Sequence, residues 1–420
     1  MSTPKQIVWT LLLALVGLNA ARAQRHEVLT DHVRTVGVVV GDQWNASPLL
    51  HLGVGDRMEI SFDDLTHEYR RYRYRVEACN FDWTTNEGLF ESDYLRGETG
   101  EQTIETFRKS LNTNMLYTHY TFTFPNERVG ISLSGNYRIH IYDDDEEEDV
   151  ALVCFSVVKE AVQISASVST NTDIDQDREH QQLRFSVNAQ NLRMTNPTKE
   201  LKTVVLQNDR WDNAVVNPKP DFLTPNDLQW RYDKRLIFKA GNEYRKFEIT
   251  NLRVPTLGVN KLRWFDPYYH AELYEGKRRV NYLYDEDQNG KYLVRSEEYD
   301  DADIQADYVL VHFTLKAEPL VEGDYYVMGD FSLQRFLPEC KMEYQDDREA
   351  YEATVLLKQG YYNYLYLHVD DPEEAGTTAE AEGDSYQTEN KYSILVYFRP
   401  PGGRYDQLVG VREMRFIPGK

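Results

Sequence analysis

The residues best able to do chemistry in this chain are oxygen donors, and they gather in two places. Asp143 to Asp149 is a run of seven consecutive carboxylates, a ligand type that hard cations such as Ca²⁺ accept. The run lies between two alternating segments, 137–142 and 151–158, so a solvated hairpin loop is the first reading and a cation site the second. Asp285-Glu286-Asp287-Gln288-Asn289-Gly290 matches the front half of an EF-hand loop, with oxygen side chains at the first, third and fifth positions and glycine at the sixth. The match then fails, because the twelfth position is Ser296 and the acid arrives one place late at Glu297. The flanks 280–284 and 292–294 read as strands rather than helices, and Asn289-Gly290 is a hairpin signal, which puts a turn ahead of calcium.

Nucleophilic and nucleotide chemistry find no anchor. There is no P-loop, no G-x-S-x-G elbow and no H-E-x-x-H, and Gly53-Val54-Gly55 runs on to Met58 and leaves G-x-G-x-x-G incomplete. The ten histidines are scattered, and His119, His140, His312 and His368 fall inside predicted strands, where surface or hydrogen-bonded core roles come first. Cys79, Cys154 and Cys340 are far apart in sequence, which argues against a cysteine metal site. An odd count allows at most one disulfide. The flanking alternations put Cys79 and Cys154 on the face opposite the apolar set, and a bridge between them is the minor reading. The expectation is a non-enzyme with no cofactor and no metal.

Residues 1–23 read as a cleaved export signal. Lys5 sits in a short basic start, an apolar run covers 7–18, and Ala21-Arg22-Ala23 precedes Gln24. The run is short of the ~20 residues needed to span a bilayer, and no cysteine follows it to carry lipid. The formal charge is -22, from 47 basic and 69 acidic residues, and becomes more negative when Lys5 and Arg22 leave. Phosphate backbones are bound by neutralising them with Lys and Arg, so nucleic acid is a poor partner and direct membrane insertion is not expected.

The elements that would position any site are strands. The 30 tyrosines keep company with Val, Ile, Phe and Thr in short alternating runs bounded by Gly, Asn, Asp and Pro, the signature of strands and turns. No segment of ten residues sustains a helical apolar period. The fold class is all-β, with tandem antiparallel immunoglobulin-like or early-set sandwiches. The polar break after 158 and the acidic stretch 297–307 divide the mature chain into an N-terminal β-sandwich domain at 24–160, a middle β-rich domain at 161–305 and a C-terminal early-set-like sandwich at 306–399. Pro400-Pro401-Gly402-Gly403 opens an extended tail, 400–420, and the acidic loop 370–384 reads as mobile.

Within the third of these, Val327-Met328-Gly329-Asp330-Phe331 and Gly360-Tyr361-Tyr362-Asn363-Tyr364 resemble the early-set sandwich of starch- and glycogen-binding modules. Those modules stack sugars on tryptophan. Here Ser332-Leu333-Gln334-Arg335-Phe336 follows instead, so a periplasmic glycan-binding module is the alternative function rather than the leading one.

The leading one comes from a set of strings in fixed order. They include Cys79-Asn80-Phe81-Asp82-Trp83, Ser92-Asp93-Tyr94-Leu95, Leu133-Ser134-Gly135-Asn136-Tyr137, Asn208-Asp209-Arg210-Trp211-Asp212-Asn213, Gly241-Asn242-Glu243, Ala306-Asp307-Tyr308-Val309 and Arg404-Tyr405-Asp406. Together they closely resemble the type IX secretion system plug protein family over nearly the whole mature chain. The resemblance implies a monomeric periplasmic β-protein of a Gram-negative cell that binds the outer-membrane β-barrel translocon from below and seals it. It names the partner but no contact residues. The loop bearing Asn208, Arg210, Trp211, Asp212 and Asn213, and the pair Arg404 and Tyr405, are the candidate contacts, since loops on a rigid scaffold often carry function. The competing reading of the same loop is structural, with Trp83 and Trp211 as buried anchors.

Overall fold

A computed structural model describes residues 26–418 apart from residue 225; the expected signal peptide lies outside the described residues. The protein is nearly all β, with 48% strand and 5% helix, in several antiparallel sheets. The alternation that predicts the strands is the alternation that buries them. In Tyr72–Cys79, the side chains of Tyr72, Tyr74, Val76 and Ala78 turn into a core while those of Arg73, Arg75 and Glu77 turn away from it.

The first unit is a sandwich. One sheet runs Glu27–Val28, Glu148–Val158, Gly135–Asp143, Tyr72–Cys79, Gln102–Thr103, with Leu49–His51 added in parallel to Glu148–Val158. The other runs Val33–Val40, Met58–Asp64, Thr118–Phe124, Thr106–Lys109. Between them Phe62 stacks on Tyr120 at 5.2 Å, and Tyr72 stands edge-on to both. Each such ring removed from water stabilises by about 1.5–3 kcal/mol. The Asp143 to Asp149 run is the turn between Gly135–Asp143 and Glu148–Val158, with Asp143 paired to Glu148 in register.

The second and third units are nested rather than sequential. Leu201–Gln207 pairs with Asn390–Phe398, which in turn pairs with Gln407–Phe416. This sheet faces Gln163–Ser169, His180–Asn188, Asp227–Trp230 and Phe222–Leu223 across a core that includes Leu183, Phe185, Trp230, Ile394 and Val396. Everything between Arg245–Glu248 and Gly360–Val369 forms a separate sandwich around Phe247, Phe313, Tyr362 and Tyr366. The expected edges at 305/306 and 399/400 are therefore crossed by strand pairing. The expected tail instead holds a ten-residue strand, Gln407–Phe416, because the Pro-Pro-Gly-Gly string is a turn that returns the chain to its own sheet. The loop 370–384, expected to be mobile, is anchored: Glu382 is fully buried and bonds Arg245 Nε at 2.9 Å.

Two seams join the units. The outer face of the first unit's Tyr72–Cys79 sheet packs on the second unit through Cys79, Trp83, Cys154, Leu206, Trp211, Leu395 and Tyr397. Cys79 and Cys154 do lie opposite the first core, but on strands separated by Gly135–Asp143. Two strand spacings, about 9.5 Å, exceed the ~7 Å a disulfide spans, and the thiols are not bridged. The second seam joins the first unit to the third and is built on charge.

Candidate functional site

The hairpin turn 208–209 is where all three units meet. Asn208 and Asp209 have φ of 54° and 58°, the left-handed pair that a two-residue hairpin turn needs and that Asn and Asp tolerate. Asn208 is locked on both sides: its N–H donates to Lys391 O at 2.8 Å, its Oδ1 accepts from Lys391 N at 2.8 Å, and its Nδ2 donates to Asn390 Oδ1 at 2.7 Å. The Asp209 carboxylate then takes one partner from each unit. Ser47 Oγ of the first donates at 3.2 Å, Lys391 Nζ of the second lies at 2.6 Å and Lys291 Nζ of the third at 3.6 Å. Burial opposes that charge, but Lys391 and Lys291 outweigh it and hold the carboxyl down at about 2. Lys291 also pairs with Asp330 at 2.8 Å.

The rest of the motif continues the stitching. Arg210 and Asp212, on one face of Arg210–Val216, form a bidentate pair at 3.1 and 2.5 Å. Arg210 also donates to Gly376 O at 2.8 Å, while Gly376 N donates to Asp212 at 3.1 Å. Trp211 meets Trp83 edge-on at 5.9 Å, so both tryptophans are the anchors expected. Asn213 Nδ2 bonds Gln207 Oε1 at 3.1 Å. Asn208, Arg210, Trp211 and the side chain of Asp212 are buried and Asn213 is half-buried, and all five bond or pack on residues of this same chain. Arg404 and Tyr405 lie apart from them. Arg404 is exposed and ties Asp93 at 2.9 Å and Gly88 O at 3.1 Å, and Tyr405 is half-buried.

The seam between the first and third units brings Tyr308, from one of the family-like strings, and the strand histidine His119 together with Asp63 and Lys358. Lys358 Nζ lies 2.6 Å from Asp63, both side chains 1% exposed. Asp63 also accepts from Tyr308 Oη at 2.7 Å and pairs with His119 Nδ1 at 2.7 Å. Burial disfavours the Asp63 charge, yet Lys358 and His119 hold its carboxyl below the ordinary value. Lys358 follows the apolar Val355-Leu356-Leu357 at the end of its strand, and only the fold brings Asp63 to it. Asp209, Lys291 and Lys358 all border a cavity of about 270 Å³ among the three units, walled also by Trp44, Trp211 and Tyr292.

The cation candidates are turned to other partners. Asp143 bonds Arg70 at 3.0 Å and the backbone N–H of Asp145 at 2.9 Å. Asp287 accepts from the N–H groups of Tyr244 and Asn289, and burial lifts its carboxyl to about 6. Asn289-Gly290 is the expected turn, with φ of 51° and 88°, but 280–284 is irregular rather than a strand. At the early-set sugar position, Asp330–Ser332 forms a short 3₁₀ turn whose Asp330 is engaged by Lys291 and whose Ser332 is fully buried.

A family model for the type 9 secretion system plug protein first domain matches residues 33–159, which is the first sandwich from its Val33–Val40 strand to just past Val158. The 2.30 Å crystal structure of a hypothetical protein from Parabacteroides merdae ATCC 43184 is 40% identical, with a TM-score of 0.90, covering 94% of this chain and 100% of that one. The chain belongs to the type IX secretion system plug protein family. The same overall arrangement of the three units is therefore present in the Parabacteroides merdae protein. The C-terminal domain of the Streptococcus pyogenes antigen I/II-family protein AspA, at 6% identity and a TM-score of 0.17, with 92% of this chain and 100% of that one covered, carries no argument. No curated protein matches the chain.

Proposed function

We propose that this chain is a non-catalytic periplasmic plug, a monomer that docks on the inner mouth of the type IX outer-membrane barrel and closes it between rounds of secretion. Family membership supplies the system. The observation that supports the closing role is the locking of three sandwiches into one body by two buried seams and one shared carboxylate, Asp209. A barrel wide enough for folded cargo encloses an aqueous lumen. Closing it takes an object that is wide and stiff, and a chain of freely hinged domains would leave gaps as the units moved. The buried ion pairs fix inter-unit geometry more than they add stability.

The test compares cells with and without the chain, in backgrounds with and without the barrel. Deletion raises entry of a large antibiotic only where the barrel is present, and the chain co-purifies with the barrel in mild detergent. Equal permeability in all four strains, with no co-purification, overturns the reading.

A further inference from the structure

The Val259–Phe265 strand is the outermost of its sheet. It pairs with Tyr268–Leu273 and with nothing on its other side among the described residues. Seven residues of unpaired edge are a template for another strand, and proteins usually shorten, cover or charge such edges. This one ends in two large exposed rings, Trp264 at 43% and Phe265 at 55% exposure, where Trp83 and Trp211 are at 2% and 8%. Lys261 and Arg263 both lean on a single carboxylate, Glu272, at 3.5 and 3.8 Å, which leaves the edge with positive charge to spare. The stretch 245–279 holds eight basic residues against four acidic ones in a chain of net charge -22.

The edge is also fixed in space relative to the first unit. Tyr269 lies beside Val309 in parallel register. Two residues before Val309, Asp307 accepts from the backbone N–H groups of Asn114 and Met115 at 2.8 and 3.0 Å, and Leu111 N donates to Ile304 O at 2.8 Å. Exposed Leu111 and Leu116 thus flank the same end of the molecule as the hairpin tip.

We propose that the outer edge of Val259–Phe265 is the docking edge of the plug, and that it takes an extended acidic and apolar segment of the barrel protein as an added strand. The inference rests on the plug reading and names its contact. Main-chain hydrogen bonds supply affinity in such additions and side chains at alternate positions supply selectivity. Here Lys261 and Arg263 select acid, and Trp264 and Phe265 anchor apolar side chains, aromatic anchors being frequent hot spots. A second copy of this chain is a poor occupant, since it brings the same two cations to the same edge.

The test uses the full chain and the purified barrel. Wild type, the double variant W264A/F265A, the charge reversal K261E/R263E, and a control, Phe222→Ser on an exposed edge of the second unit, are compared for co-purification and thermal midpoint. Both edge variants lose at least about tenfold in retention with midpoints unchanged, the control keeps wild-type retention, and amide exchange over 259–265 slows in the wild-type complex. Wild-type retention by both edge variants, or binding without slowed exchange, overturns the docking edge and leaves the plug reading standing. Flotation of the wild type with phosphatidylethanolamine–phosphatidylglycerol vesicles, abolished by W264A/F265A, replaces the barrel by the membrane and also overturns it. Failure of wild type itself to co-purify overturns both.

Discussion

Arg210-Trp211 and Arg263-Trp264 each sit on the arm of a β-hairpin, beside the two-residue turns Asn208-Asp209 and Asp266-Pro267. In the first hairpin the arginine makes a bidentate bond to Asp212, with side-chain exposures of 6% and 0%, and the tryptophan packs on Trp83. In the second the arginine stands 3.8 Å from Glu272 with both side chains substantially exposed, and the tryptophan touches Tyr269 at 4.8 Å with much of its ring in water. The residue types are alike. What differs is the strand's place: Arg210–Val216 packs Trp211 on Trp83 of the first unit and turns Arg210 and Asp212 to the backbone of Gly376, while Val259–Phe265 closes the open edge of a sheet. The same chemistry serves cohesion in one place and is available to a partner in the other.

That contrast is sharpest in stability. The largest loss is expected from Lys358→Ala, which removes the ammonium from the buried Asp63 carboxylate and leaves it only His119 and the Tyr308 hydroxyl, at a cost of about 3 kcal/mol by urea unfolding. Adding Asp63→Leu to it recovers part of the loss, because the under-compensated buried carboxylate is then gone. Trp211→Ala follows at about 3 kcal/mol or more, whereas Trp264→Ala stays within about 0.5 kcal/mol. Similar costs for the two tryptophans would dissolve the comparison.

Protonation gives a smaller effect of predictable sign. Burial lifts Glu243 from its usual 4.5 to about 7 and Asp287 from 3.8 to about 6. The folded state therefore holds these protons more tightly than the unfolded chain does. The stability this contributes is whole below the unfolded values and is lost as pH rises through 6 to 7. Between pH 5 and pH 8 the two groups together lower stability by on the order of 4 kcal/mol, the larger share from Glu243, and Glu243→Gln flattens that slope in thermal melts. Asp209, held at about 2, acts in the opposite sense, and only below about pH 4. Arg404→Ala, which removes an exposed tie to Asp93, should leave the melting midpoint unmoved, since exposed ion pairs contribute little.

Much of the local structure was legible in the residues. The alternating runs are strands, the Asn289-Gly290 turn and the acidic hairpin 143–148 stand where expected, and Trp83 and Trp211 are anchors. The segment 280–284 was misread because alternation alone does not say whether a neighbouring strand has room to pair. The tail was misread because Pro-Pro-Gly-Gly marks the turn before Gln407–Phe416 as readily as a loose end. Of the candidate contacts, the 208–213 motif lies largely in the junction of the units, a burial that could not be seen in the residues. A motif dense in Asn, Asp, Arg and Trp suits a surface loop and a polar junction equally well.

What the amino-acid sequence determined by itself was strand content and family, since a period-two pattern of apolar and polar residues expresses backbone geometry and half-burial over a few neighbours. Which strands pair was decided only by the tertiary structure. Leu201–Gln207 waits for Asn390–Phe398, and Asp63 waits for Lys358, because pairing and ion-pair burial are set by the free energy of the whole packed chain and leave no mark on either segment alone.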